Sequence, residues 1–475
     1  MKSFVYKSFT LFLIISTSLL SQSSINMYDI VILEGRIINP ESQTDKTLNI
    51  GIKDGKIVEV TESAIAGKMV VDAKGLTVSP GFIDILSYDP NGYGEICKVY
   101  DGVTTNLSMH GASELDFKRL YNKGVIVNCG GAVSQVKLRY AVGLMNAYDK
   151  PTSSQIIEMV KLAKKAIEDG ALGISFSFEY NPGTTHEEAE TLFRVAKEYK
   201  VLCTVHLRYS TMEGDKTNIE AINEVIDLCK NTGASCQIVH INSTGGTFSM
   251  RESLELIQKA KEAGLDISID MYPYNYWATY LASSRFDGDW QKRFKISYND
   301  LQIGGTSERL NKDSFKKYRK LNPLVVAYAI PEEDIIVGLK SPLTMIGSDT
   351  ILNKNKNNHP RGAGCFSRLL GKYVREEKTI SLMEAINKIT LMQAKRLENI
   401  SSSMKNKGRI KIGADADITI FNSNTIIDKA TVEDPAIFSE GIEYVIVNGV
   451  IVKDKNGIVK NALPGRKIEN MGRLF

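Results

Sequence analysis

The sequence predicts an α/β fold: a (β/α)8 barrel of the TIM type, with a small β-sandwich domain formed by the N- and C-terminal segments. Three observations predict it. The middle of the chain alternates apolar strand-like runs with amphipathic helical runs, the pattern of a parallel sheet with helical crossovers. About eight such strand-like runs occur, enough to close a barrel. The first and last segments share a different texture, short alternating strands joined by tight turns, which one small domain built from both ends accounts for.

The elements follow in chain order. Lys2 and Lys7 bracket a short basic region, residues 9–20 are largely apolar, and Ser21-Gln22-Ser23 offers small residues for cleavage. That run is too short to span a bilayer comfortably. Residues 1–23 therefore read as a secretory signal peptide, with an uncleaved anchor as the alternative, and the protein is expected to be exported to the periplasm or the extracellular space. No cysteine follows the run, which argues against a lipid anchor, and no later segment reads as transmembrane. Residues 24–78 are the first part of the β-sandwich. Within them Ile50 to Val58 is a hairpin signal, with Asp54-Gly55 supplying the positive φ angles of a tight turn.

Residues 79–400 form the barrel. Its strand candidates are 81–85, 103–107, 125–129, 172–176, 201–205, 236–239, 266–269 and 345–346. Thr152 and Gln155 fit a capping box ahead of a helix whose Ile156, Ile157, Val160, Ala163 and Ile167 are placed on one face. Thr184-Thr185 followed by Glu187-Glu188 starts another helix, and Ser381 with Glu384 starts a third. Residues 281–340 are too long for a simple loop and are expected to form an inserted lid or subdomain. Residues 401–475 complete the β-sandwich, with a strand at 416–421 and a hairpin at 444–452 turning at Asn448-Gly449.

The composition is that of a globular enzyme: 43% hydrophobic, 24% charged and a net charge of only +4. No basic stripe stands out, so nucleic acid is not an expected partner, and after signal cleavage neither is a membrane. The partner expected is a small molecule. Of six cysteines, Cys129, Cys203 and Cys236 lie in apolar strand-like runs and read as buried thiols. The cysteine spacing fits no zinc ribbon.

Barrel enzymes carry their chemistry at the C-terminal ends of strands. Only five histidines occur in 475 residues, and two of them, His206 and His240, end such runs. Neutral imidazoles from neighbouring strands can share one divalent metal. Asp349 follows the last strand, where a carboxylate could ligate metal or act as general base on water. His110 closes another run and is either a third ligand or a polar strand-end residue. Tyr272 and Arg361 lie on loops where they could bind a substrate carboxylate, since a guanidinium fork suits that geometry. His186, at a helix start beside two glutamates, reads as a surface residue.

Taken together, Ser79-Pro80-Gly81-Phe82-Ile83-Asp84, Asp101-Gly102-Val103-Thr104-Thr105, Asn181-Pro182-Gly183-Thr184, His206-Leu207-Arg208, His240-Ile241-Asn242-Ser243-Thr244, Tyr272-Pro273-Tyr274, Gly347-Ser348-Asp349 and His359-Pro360-Arg361-Gly362 resemble the amidohydrolase superfamily. The closer resemblance is to the N-acyl-D-amino-acid deacylases, including the N-acyl-D-glutamate type, over almost the whole mature chain. It implies hydrolysis of an N-acyl amide to a carboxylic acid and a D-amino acid. It also implies zinc on His206 and His240, Asp349 as the group that activates water, and Tyr272, Arg361 and Arg208 at the substrate. The family has two first-strand histidines at the positions of Leu86 and Tyr88, where this chain has none. The weaker of two metal positions is therefore expected to be lost, leaving about one zinc per chain on His110, His206 and His240. Two other readings follow from the same departure. One is a ligand-binding pseudoenzyme of the same fold, and the other is a hydrolase of a cyclic amide or dipeptide.

Overall fold

The computed structural model describes residues 27–87, 92–112, 122–214, 216–352 and 357–472. The signal-peptide reading of residues 1–23 and the position of Tyr88 lie outside the described residues.

The chain opens with β1 (Tyr28–Asn39), β2 (Thr44–Lys53), β3 (Lys56–Thr61), β4 (Gly67–Asp72) and β5 (Thr77–Pro80). Isoleucines and valines dominate them, and branched side chains suit a pleated, half-buried surface. The β2–β3 hairpin turns at Asp54-Gly55 with φ values of 51° and 74°, the left-handed pair that a two-residue turn of matching twist requires.

The barrel follows with β6 (Phe82–Asp84), β7 (Val103–Ala112), β8 (Asn128–Ser134), β9 (Gly173–Ser177), β10 (Leu202–His206), β11 (Cys236–Ile238) and β12 (Ile267–Met271). The chain then leaves the barrel for β13 (Trp277–Tyr280), β14 (Leu301–Ile303) and β15 (Leu324–Ala327), a separate antiparallel sheet, before the last barrel strand, β16 (Thr344–Ile346). Barrel order is β6-β7-β8-β9-β10-β11-β12-β16, parallel throughout. Its two ends meet where Asp349 N donates to Leu86 O at 2.7 Å and Ser87 pairs with Thr350, so the sheet is nearly closed.

Each of the eight predicted runs overlaps a barrel strand. β8 is displaced toward the C-terminus because its Gly130-Gly131 carries no strand signature. A Cβ on Gly130 would stand 2.3 Å from the carbonyl oxygen of Ile468. The C-terminal segment runs alongside there, with an isolated bridge between Cys129 and Lys467 and Ile468 N donating to Cys129 O at 2.8 Å.

The helix Ser153–Glu168 carries the expected capping box. Its buried stripe is Ile156, Met159, Ala163 and Ile167, whereas Ile157 is 69% exposed. At about 100° per residue, position 157 falls off the stripe and position 159 falls on it. Helices His186–Tyr199 and Leu382–Ile389 start at Thr185 and Ser381 as their caps predict, and His186 is exposed. The inserted segment packs its own aromatic cluster, with Trp277 5.7 Å from Phe286 and 5.1 Å from Phe294 between ring centroids.

The chain ends with β17 (Ile418–Phe421), β18 (Ile442–Val447), β19 (Val450–Asp454) and β20 (Gly457–Ile458). Strand order β20-β19-β18-β17-β5-β1-β2-β3, with β4 against β1, joins both chain ends in one nine-stranded sheet. Ile30, Ile50, Val78, Ile418 and Ile446 belong to one core beneath it. All six cysteines are buried free thiols. No described helix is long and apolar enough to cross a membrane.

Candidate metal centre

The C-terminal ends of the barrel strands bring three histidines together. His110 lies near the end of β7, His206 ends β10, and His240 follows β11. His240 takes a left-handed backbone, φ 34° and ψ 53°, unusual for a side chain of its size. It is held there by Asp270 at the end of β12, whose Oδ1 accepts from His240 N at 2.7 Å. Nε2 of His240 stands 3.1 Å from Nδ1 of His206 and 3.3 Å from Nε2 of His110. All three rings are buried. Burial holds the imidazoles of His206 and His240 well below their ordinary pKa and lowers that of His110. The rings are therefore neutral at pH 7, the state in which a lone pair is open to a metal.

This donor set fits zinc. Nitrogens about 2.0–2.1 Å from one tetrahedral zinc stand roughly 3.3 Å apart, close to the two separations above. The outer ring atoms also have partners, as metal-binding histidines normally do. His206 Nε2 lies 2.9 Å from Glu179 Oε2, and His240 Nδ1 lies 3.2 Å from Ser243 Oγ. Among the described residues this triad is the only cluster of its kind. Leu86, where the resemblance places a histidine, is buried and offers no donor atom from its side chain.

Asp349 stands beside the triad, also in the left-handed region at φ 51°. Its Oδ1 is 3.8 Å from His110 Nε2 and accepts no hydrogen bond from a described residue. Its Oδ2 pairs with Arg361 Nη2 at 2.7 Å, and its backbone carbonyl accepts from Arg361 Nε at 2.8 Å. Arg361 thus grips both the side chain and the main chain of Asp349. The guanidinium also lies 4.7 Å from the ring centroid of Tyr272. Burial pushes the Tyr272 phenol up to about 12, which keeps it a neutral hydroxyl.

Arg208 was expected at the substrate, and the structure puts it elsewhere. Its Nε and Nη2 contact Glu224 at 2.8 to 3.0 Å, and the remaining donors reach Pro182 O and Thr184 O. It lines a neighbouring depression with Glu179 and Arg293, not the cavity that contains His110. That cavity measures about 480 Å³ and lies between the barrel mouth and the inserted sheet, with Ser134, Ser177, Tyr180, Thr279 and Ser284 on its walls.

Sequence reasoning missed four residues of this centre. Glu179 and Asp270 sit at or just past the C-terminal ends of β9 and β12, so the rule that singles out the histidines would have found them. Arg285, in the inserted segment, is buried with its Cζ 4.0 Å from the Trp277 ring centroid. Lys98 is buried too, with Nζ 2.7 Å from Asp84 Oδ2, 2.8 Å from Ser348 Oγ and in contact with Thr350 Oγ1. Nothing in the sequence near Lys98 or Arg285 marks either residue.

Comparison with known proteins agrees with this architecture. A family model described as the amidohydrolase family matches residues 339–453, which include β16, Asp349 and Arg361. Over this segment the chain is similar to the amidohydrolase family. The chain is 29% identical over 466 residues to an N-acyl-D-glutamate deacylase of Alcaligenes xylosoxydans xylosoxydans, covering 89% of this chain and 93% of that protein. It is 28% identical over 478 residues to a D-aminoacylase of the same organism, covering 91% and 96%. Among solved structures it resembles the N-acyl-D-glutamate deacylase of Bordetella bronchiseptica, complexed with zinc and a phosphonate mimic of the reaction's tetrahedral intermediate. The TM-score is 0.81 at 25% identity, covering 93% of this chain and 100% of that one.

Proposed function

We propose that this protein is a single-metal amidohydrolase that deacylates N-acyl-D-amino acids to a carboxylic acid and a D-amino acid. The observation that carries the proposal is the meeting of three neutral histidines with one clamped aspartate at the mouth of the barrel. The likeness to deacylases over nine-tenths of the chain supports the substrate class. His110, His206 and His240 would hold zinc. When bound there, zinc supplies Lewis acidity, which polarises an amide carbonyl and brings the pKa of water to about 7.

The rest of the chemistry falls to the chain. Asp349 Oδ1 is the open acceptor facing the triad, so it takes the proton as water oxygen adds to the acyl carbon. The same carboxyl group returns that proton to the amide nitrogen as the C–N bond breaks. Arg361 keeps Oδ2 occupied and Oδ1 aimed at the histidines, which makes it a positioning residue for Asp349. Tyr272, neutral and packed on Arg361, is the donor for the substrate carboxylate. The surrounding cavity is walled by hydroxyl groups that suit the polar head of an amino acid.

The same reading includes export, supported by the basic and apolar pattern of residues 1–23. It favours one metal over two because Leu86 cannot ligate. That same leucine is the observation behind a ligand-binding pseudoenzyme. An assay of the zinc-loaded protein on N-acetyl-D-glutamate, N-acetyl-D-methionine and their L-enantiomers separates the two. Release of free amine from the D-compounds is expected. Full zinc occupancy with no release from any N-acyl amino acid would leave the binding protein or the cyclic-amide hydrolase.

A further inference from the structure

We propose that Glu179 is a positioning residue of the metal centre: its carboxylate fixes the His206 ring so that Nδ1 is the atom offered to the metal, and the inserted segment holds that carboxylate in place. The inference rests on the single-metal reading above. Glu179 lies two residues past β9 and is buried. Its Oε2 is 2.9 Å from His206 Nε2 and also accepts from Ser210 Oγ at 2.8 Å. The carboxylate oxygen already accepts from Ser210 and faces arginine donors, so its geometry is that of an acceptor and the shared proton is assigned to His206 Nε2. The lone pair then falls on Nδ1, 3.1 Å from His240 Nε2.

The counter-charge comes from the inserted segment. Arg285 Nε is 3.6 Å from Glu179 Oε2, and Arg293 Nη1 is 3.9 Å from Oε1. Ser284 Oγ donates to the Glu179 carbonyl at 2.8 Å. Arg285 is itself fixed, with Nη2 bonded to Ser243 O and its guanidinium over Trp277. Two arginines thus flank the buried carboxylate, and a carboxylate partner on the outer ring atom orients a metal-binding histidine and raises its donor strength. Of the two outer partners described for His206 and His240, Glu179 is the charged one and Ser243 is neutral.

The test is zinc affinity, by competition with a chromogenic chelator, for the wild type, Glu179→Gln and Glu179→Ala. The tautomer of His206 is read by nitrogen NMR with and without zinc. Expected are zinc binding weakened about 10-fold in the glutamine variant and up to roughly 100-fold in the alanine variant, with the melting temperature of both metal-free variants lowered because Arg285 loses its buried partner. His206 should carry its proton on Nε2 in the wild type, and that preference should weaken in both variants. Zinc affinity within twofold of wild type in both variants, or a proton on Nδ1 in the wild type, would overturn the proposal. If Glu179→Ala does not fold, the isosteric glutamine variant decides alone. If the wild type binds no zinc, the single-metal reading fails, and the metal-free tautomer still decides the role of Glu179.

Discussion

Replacing Asp349 by alanine is expected to lower kcat on an N-acyl-D-amino acid by about 10²- to 10⁴-fold, the usual contribution of a positioned general base. Zinc content should be unchanged, because the nearest Asp349 oxygen is 3.8 Å from the nearest histidine nitrogen and the three imidazoles make a complete donor set. KM should move little, since Asp349 handles a proton and does not grip the substrate. Asp349→Asn should behave almost as badly, because an amide keeps the bond to Arg361 and loses the acceptor that takes the proton. Steady-state kinetics with metal analysis check this. Activity within fivefold of wild type in the alanine variant would remove Asp349 from the chemistry.

The second large effect concerns stability. Lys98→Met is expected to cost about 3–5 kcal/mol, the typical result of leaving one partner of a buried ion pair behind. Lys98 and Asp84 are both fully enclosed, 2.7 Å apart. Asp84 Oδ1 also accepts from Ser348 N at 2.9 Å and from Leu86 N at 3.2 Å, so this carboxylate ties β6 to the end of β16, one residue before Asp349. Adding Asp84→Asn to the methionine variant should restore more than half of the loss. The amide removes the unpaired charge and keeps an acceptor for the two backbone groups. Denaturant unfolding of the three variants measures it. A Lys98→Met protein within 1 kcal/mol of wild type would mean that water reaches the carboxylate and the pair carries little weight.

Much of the barrel was legible because its strands are short apolar runs rich in branched residues between helices with clear caps. The Asp54-Gly55 turn, the Thr152–Gln155 box and the strand-end histidines are local signals of that kind. The errors have two sources, a helical face drawn too wide and tertiary context that overrides local pattern. Ile157 is apolar and exposed because the helical stripe passes it by. β8 is displaced because two glycines that look unfit for a strand accommodate the passing C-terminal segment.

The site divides in the same way. His110, His206, His240 and Asp349, which the structure brings together, were legible because each lies at the end of a readable strand. The partners that give them direction were not, because the pairing is between distant positions. Lys98 meets Ser348 across 250 residues and Arg285 meets Glu179 across 106, so composition and spacing carry no trace of either contact. Arg361 was read as a substrate anchor because a guanidinium fork suits a carboxylate, and only the folded chain shows it gripping Asp349 at 2.7 Å. Arg208 was read the same way and is taken up by Glu224.

The central claim is that three histidines make one working metal centre in a chain that has leucine where a first-strand ligand would be. Metal analysis of the purified protein beside a His206→Ala/His240→Ala double variant tests it most directly. The account predicts close to one zinc per chain in the wild type and none in the double variant, with both proteins folded. No zinc in the wild type after zinc is supplied, or the same zinc content in both proteins, would contradict it.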